Sequence, residues 1–488
     1  MKFPRSSGIL LHPTSLPGRF GVGDLGPESY RFADFLSDAG LHIWQVLPLA
    51  PTGYGESPYQ SLSSFAGNPL LISLEKFVER GYLSPQDLDH TPVFPEGTVD
   101  FTAVIPYKFQ LLRKAFDNFR STPEFEKFCG QHRAWLDDFA RFMALKNANG
   151  QVAWTEWRIQ DADPREIELQ KFWQWEFFRQ WTELKNYCQT RGVRMMGDVP
   201  IYVSHDSADV WSNPDLFELN ADGSAAKMSG VPPDYFSANG QLWGNPIYRW
   251  DRMQATGYKW WIERLQATFQ MVDIVRLDHF RGFEGYWEVP AGETTAINGR
   301  WVKGPEASLF EALEAALGKL PIVAENLGVI TPEVESLRQQ FGFPGMSVLQ
   351  FAFGTDPQAP TFRPHNYPRE VVAYTGTHDN DTTVGWWESR GVGDSTRSLA
   401  DVERERAFTK AYLNTDGREI QWAFIRTVMA SVADTVIIPL QDVLGLGNEA
   451  RMNLPGSTKG NWHWRSRPNA ITKEMRDRLR QLTLLYDR

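Results

Sequence analysis

IVAENLGVITPEVESLRQQFGFPGMSVLQF, residues 322–351, carries one full repeat of the fold. Its first apolar run, 322–325, is too short for a helix and is followed by Asn and Gly, so it reads as a buried strand. Thr331 then offers a helix cap with Pro332 at the first helical position, and Gly342 supplies the stop. A second apolar run, 347–351, follows. Strand, helix and strand in that order make a βαβ unit, which builds parallel sheet.

Outward from this stretch the same alternation returns. Apolar runs at 8–11, 42–47, 194–199, 274–278, 371–375 and 435–440 bring the total to eight. Ser308 and Glu311 have the spacing of a capping box, with Gly318 as the stop of that helix. Eight strand–helix repeats predict an α/β fold, a closed (β/α)8 TIM barrel, with residues 1–488 forming a single catalytic domain. Strands 5 to 6 and 6 to 7 are about 25 residues apart, near the minimal unit, whereas strands 2 and 3 are about 150 apart. The excess predicts a large, mostly helical insertion over 55–160. Its return helix begins with Asp163 as cap and Pro164 at the first position, and Trp173, Phe177, Trp181, Leu184 and Cys188 form its core stripe. A second insertion after strand 3, 204–250, includes GVPPDYFSANGQLWGNPIYRW and has little periodicity, so it reads as an extended loop over the active site.

Composition limits the partners. With 42% hydrophobic and 23% charged residues the 488-residue chain can bury a large core. Fifty basic against 60 acidic residues give a net charge of −10, which argues against nucleic acid or an anionic membrane surface and favours a neutral ligand. No apolar run approaches 20 residues. The two cysteines, Cys129 and Cys188, are too few for a disulfide framework and point to a reducing, cytoplasmic setting. Most of the 19 Trp, 15 Tyr and 31 Phe are expected in the core, leaving a few as stacking platforms for sugar rings.

Barrel enzymes place their chemistry at the C-terminal ends of strands. Strand 3 ends with Asp198, strand 4 with Asp278 and strand 5 with Glu325, and strand 7 runs into Asp379. Alternation puts Arg276 and Asp278 on the inner face of strand 4, where the guanidinium favours a charged carboxylate. Glu325 follows three apolar residues with no neighbouring cation in sequence, which suits a carboxyl held protonated as a general acid. One ionised and one protonated carboxyl meet the need of glycosidic-bond cleavage, and retention of configuration expects them roughly 5 to 5.5 Å apart. His205-Asp206 and His378-Asp379 could instead suggest a metal hydrolase, but His12 stands alone at the end of strand 1 where a second ligand pair would be needed, so no metal is expected.

VRLDHFRG (275–282), AENLG (324–328) and YTGTHDND (374–381), with GDVPIYVSHDSADVW (197–211) and YGESPYQSLSSFAGNPLLISLE (54–75), resemble the 4-α-glucanotransferases of glycoside hydrolase family 77, the amylomaltases or disproportionating enzymes of the α-amylase clan. The resemblance implies a transferase acting on α-1,4-glucans such as maltooligosaccharides and amylose, without metal or organic cofactor. A hydrolase of the α-amylase type is the alternative. It implies Asp278 as nucleophile, Glu325 as acid/base and Asp379 as the residue that holds substrate hydroxyls. Arg276 and His378 then act at the donor sugar, Tyr59 stacks beneath it, and Asp198 is a further donor-side acid. His279 and Asn326, beside the catalytic pair, are also expected to bind substrate. Residues 234–243, with Trp243, resemble a loop over the acceptor side, and 453–464, with Asn461, a further wall. Tyr235, Phe236 and Tyr248 are expected to offer acceptor-stacking rings. The oligomeric state is left open, with a monomer compatible with the sequence.

Overall fold

The computed structural model describes residues 3–233, 239–391, 398–457 and 460–488; the side chain of Tyr54 is also outside the description. Eight parallel strands form one sheet: strand 1, Ser6–Leu10; 2, Ile43–Gln45; 3, Arg194–Val199; 4, Ile274–Leu277; 5, Ile322–Ala324; 6, Gly345–Val348; 7, Val371–Tyr374; and 8, Thr435–Pro439. Their order is 6-7-8-1-2-3-4-5, so strands 5 and 6 flank the seam. The seam is closed by the Ala324 N–H donating to the Pro344 carbonyl at 2.9 Å. The Met346 N–H reaches the Asn326 side-chain oxygen at 2.8 Å beside it. Nearly every strand residue is buried, as expected when helices cover a parallel sheet that closes on itself.

Inside the barrel the side chains are not all apolar. Tyr374 on strand 7 donates to Gln45 on strand 2 at 2.9 Å, and Arg276 on strand 4 meets Asp198 on strand 3. Val275 and Leu277 are buried on the opposite face, so the alternation read from VRLD is the one the strand adopts.

Between strands 2 and 3 lie helices Leu74–Glu79, Phe101–Asn118, Pro123–Gln131 and Arg133–Ala148, then the return helix Pro164–Thr190. The Asp163 side chain caps that helix by accepting from the Arg165 N–H, and Trp173, Phe177, Trp181, Leu184 and Cys188 are buried along it. Two of the connecting segments differ from their sequence reading. The 204–250 insertion is more than loop: Lys227–Val231 and Gln241–Pro246 join Gly285–Pro290 and Arg300–Lys303 in a four-stranded antiparallel sheet, in which Lys227–Val231 lies between Gln241–Pro246 and Gly285–Pro290. The helix read from Ser308 begins at Glu306, with Pro305 as its cap residue. The Ser308 hydroxyl is used differently, 2.6 Å from the Pro305 carbonyl and 2.7 Å from the Tyr258 hydroxyl. Among the described residues no helix is long and apolar enough to cross a membrane.

Candidate active site

The C-terminal ends of strands 3, 4, 5 and 7 open into a cleft of about 1440 Å³ whose walls include Asp278, Glu325 and Asp379. Strand 4 keeps its pairing one residue beyond Leu277, because the Asp278 N–H donates to the Val199 carbonyl at 2.9 Å. The chain then turns sharply: His279 has φ +50°, a left-handed conformation that costs a non-glycine residue about 1 kcal/mol or more. The turn aims the His279 N–H at Glu325 Oε2, 2.8 Å away, while the Leu327 N–H reaches Glu325 Oε1 at 2.7 Å. Gly282 makes room for it; a Cβ there would sit 2.7 Å from Ile201 Cδ1 and 3.0 Å from His279 Cδ2.

Arg276 Nη1 is the hub of the charged layer. It lies 2.7 Å from Asp198 Oδ2 and 2.8 Å from Asp278 Oδ1. The Asp198 and Arg276 side chains are almost fully buried, whereas that of Asp278 is 28% exposed to the cleft. Asp198 also accepts from the Tyr59 hydroxyl at 2.8 Å, which fixes the Tyr59 ring. Burial pushes the Asp198 carboxyl up from its ordinary range, against the opposing pull of the guanidinium. Replacing Arg276 by Ala would leave buried carboxylate charge without a counterion, and such losses cost about 3–5 kcal/mol. We expect chemical denaturation of Arg276→Ala to show a stability loss of that order; a loss below about 1 kcal/mol would contradict the buried pairing.

Glu325 is pushed up to about 7, first by burial and then by the Asp278 charge, and both outweigh its two backbone N–H bonds. The cleft thus holds one carboxyl tied to a cation and a second that keeps its proton near neutral pH. At the third position Asp379 Oδ1 accepts from Asn453 at 2.6 Å and lies 3.3 Å from His378 Nε2. The Arg451 guanidinium holds the Asp379 carbonyl at 2.9 Å. His378 stacks on Tyr59 with centroids 5.1 Å apart and planes 18° off parallel, and Trp462 meets both rings.

The sequence-derived residues divide by position. Tyr59, Trp243, Arg276, His279 and His378 line the cleft with the three acids, and Trp243 meets the His279 ring at 4.8 Å, edge to face. Asp198 lies behind this wall. Asn326 is not among the cleft-lining residues; its amide donates to Glu335 at 2.6 Å and accepts from the Met346 N–H, so it holds the barrel seam. Asn461 lines the cleft, but its amide is engaged within its loop, with the Leu454 N–H at 3.0 Å and the Ser457 carbonyl at 2.8 Å. Tyr248 is a correction; it is buried and donates to the Ile201 carbonyl at 2.7 Å. Asp234, Tyr235 and Phe236 lie outside the described residues. Missed in the sequence were Arg451, which holds the Asp379 backbone, and Trp301, which lines the cleft from the small sheet. Neither stands beside a strand-end acid in sequence, which is the signal that found the others.

Residues 11–471 match the family described as 4-alpha-glucanotransferase, glycoside hydrolase 77. A 4-alpha-glucanotransferase of Synechocystis sp. is 50% identical, over 99% of this chain and 98% of the relative. That of Thermus thermophilus is 47% identical over the full length of both. An amylomaltase from Streptococcus agalactiae, solved in complex with acarbose, superposes with a TM-score of 0.93 at 38% identity, covering 99% of each chain.

Proposed function

The chain belongs to the 4-alpha-glucanotransferase family, and from that premise we propose that Asp278, Glu325 and Asp379 perform its transfer as a retaining double displacement. The activity moves α-1,4-glucan segments from one chain to the 4-hydroxyl of another glucan or of glucose. Maltooligosaccharides and amylose are the substrates of this reading. A cytoplasmic setting belongs to it as well, supported by the unpaired Cys129 and Cys188.

In the first step an Asp278 oxygen attacks the anomeric carbon on the face opposite the bridging oxygen. The bond from that carbon to the bridging oxygen breaks, and the Glu325 proton passes to the departing 4-oxygen. In the second, the 4-hydroxyl of the acceptor attacks the same carbon and gives its proton to Glu325, and the Asp278 carboxylate leaves. Two inversions retain the configuration. Asp379, open to the cleft and held by Asn453, accepts hydroxyl hydrogen bonds from the donor ring, and the Tyr59–His378 stack lies at the donor side. His279 orients Glu325 through its backbone N–H.

The observation that carries this reading is the neighbouring placement of the two acids: the Glu325 carboxyl accepts from the backbone N–H of His279, the residue after Asp278, while Asp278 rests on Arg276. Incubation with maltotriose tests it. Transfer gives glucose together with a ladder of longer maltodextrins, whereas glucose and maltose alone would mean hydrolysis. The first step needs Glu325 protonated, so raising the pH through about 7 removes the acid form. We expect kcat/KM to fall on the alkaline side with a midpoint near 7, approaching tenfold per pH unit above it. A profile flat to pH 9 would contradict the assignment.

A further inference from the structure

Trp301 lies on the edge strand Arg300–Lys303, a short stretch with no motif in it. The residue is 41% exposed, while its cross-strand partner Trp287 is only partly exposed and spends its indole N–H on the Ala296 carbonyl at 2.8 Å. The ring is nevertheless braced. The Arg281 guanidinium lies 3.8 Å from its centroid, and Trp287 meets it at 5.2 Å with planes 68° apart. Arg281 also bonds the Val329 carbonyl, in the segment that carries Leu327 and so the Glu325 carboxyl.

Trp301, Arg281 and Val329 line the same cleft as the catalytic acids. Val329 is four residues beyond Glu325, so its backbone lies within about 14 Å of it. Trp243, against His279, is the ring tied directly to the catalytic turn, and Trp301 adjoins the segment that follows Glu325 through Arg281, which bonds the Val329 carbonyl. An acid/base stands beside the oxygen that links donor to leaving chain, so the wall beyond it faces the leaving and incoming glucan.

We propose that Trp301 is a stacking platform for a sugar ring on the acceptor side of the cleft, beyond the first acceptor glucose, and that it sets a preference for acceptors longer than glucose. The inference rests on the transfer reading above. A flat apolar ring fits the apolar face of glucopyranose, and its bracing by Arg281 and Trp287 means that little conformational freedom is lost when a sugar settles on it.

The test compares the native protein, Trp301→Ala and Trp301→Phe, with maltotriose as donor and either glucose or maltotetraose as acceptor. For Trp301→Ala the acceptor KM for maltotetraose is expected to rise about three- to tenfold relative to that for glucose, with Trp301→Phe recovering most of the difference. Equal changes for both acceptors, or no recovery by Phe, would overturn the proposal. Native protein that makes no ladder from maltotriose would sink the transfer reading itself, a result distinct from either.

Discussion

Asp278→Asn is expected to fold and to bind maltodextrins while losing transfer by about 10⁴- to 10⁶-fold, the scale seen when an enzyme's attacking group is removed. The amide keeps the shape of the carboxylate and can still meet Arg276 Nη1 through its oxygen, so the charged layer with Asp198 persists. What disappears is the oxygen able to form an ester with the anomeric carbon. The Asp278 charge also helps to hold the proton on Glu325, so the Glu325 carboxyl should move down in this variant. Isothermal titration with a maltooligosaccharide and product analysis separate binding from turnover. Residual activity above about 1% would contradict the nucleophile assignment.

Glu325→Gln removes the proton and keeps the contacts to the His279 and Leu327 amides through its side-chain oxygen only in part. General acid catalysis is commonly worth 10² to 10⁴-fold, and a sugar 4-oxygen is a poor leaving group, so turnover of maltotriose should fall by at least about 10³-fold. A donor whose leaving group needs no proton, such as α-maltosyl fluoride, should recover the first step and not the second. The variant would then accumulate the glycosyl-enzyme. Loss of activity toward both donors alike would show that Glu325 supports the structure and not the proton transfer.

These residues are legible in the sequence because a buried parallel strand is written as an apolar run, and a charge ending such a run stands out. Arg276 and Asp278 in VRLD show this: their alternation with Val275 and Leu277 fixed which side faced the cleft. Adjacency in sequence does not place two side chains together, because neighbouring residues alternate in direction. Asn326 follows Glu325 directly and so points elsewhere, to Glu335 and Met346. The four-stranded sheet was not legible, since its strands carry Gly230, Gly244, Asn245 and Pro246, residues that weaken a strand signal. Its pairing of Lys227–Val231 with Gly285–Pro290 also joins segments that lie on opposite sides of barrel strand 4 in the chain. Trp301 was hidden with it. Strand 6 shows a milder shift: the apolar run spans 347–351, whereas the strand runs Gly345–Val348 and Leu349–Ala352 is a 3-10 turn. The His279 conformation that aims its amide at Glu325 leaves no mark in sequence, as its positive φ falls on an ordinary residue.

Double displacement requires a covalent bond between glucan and Asp278. The direct measurement incubates Glu325→Gln with α-maltosyl fluoride, quenches it in acid, digests it and weighs the peptides by mass spectrometry. A covalent intermediate predicts one added maltosyl group on the peptide containing Asp278, lost on addition of azide with release of maltosyl azide of retained α configuration. Label on a different carboxylate, or no label together with β-configured product, would contradict it.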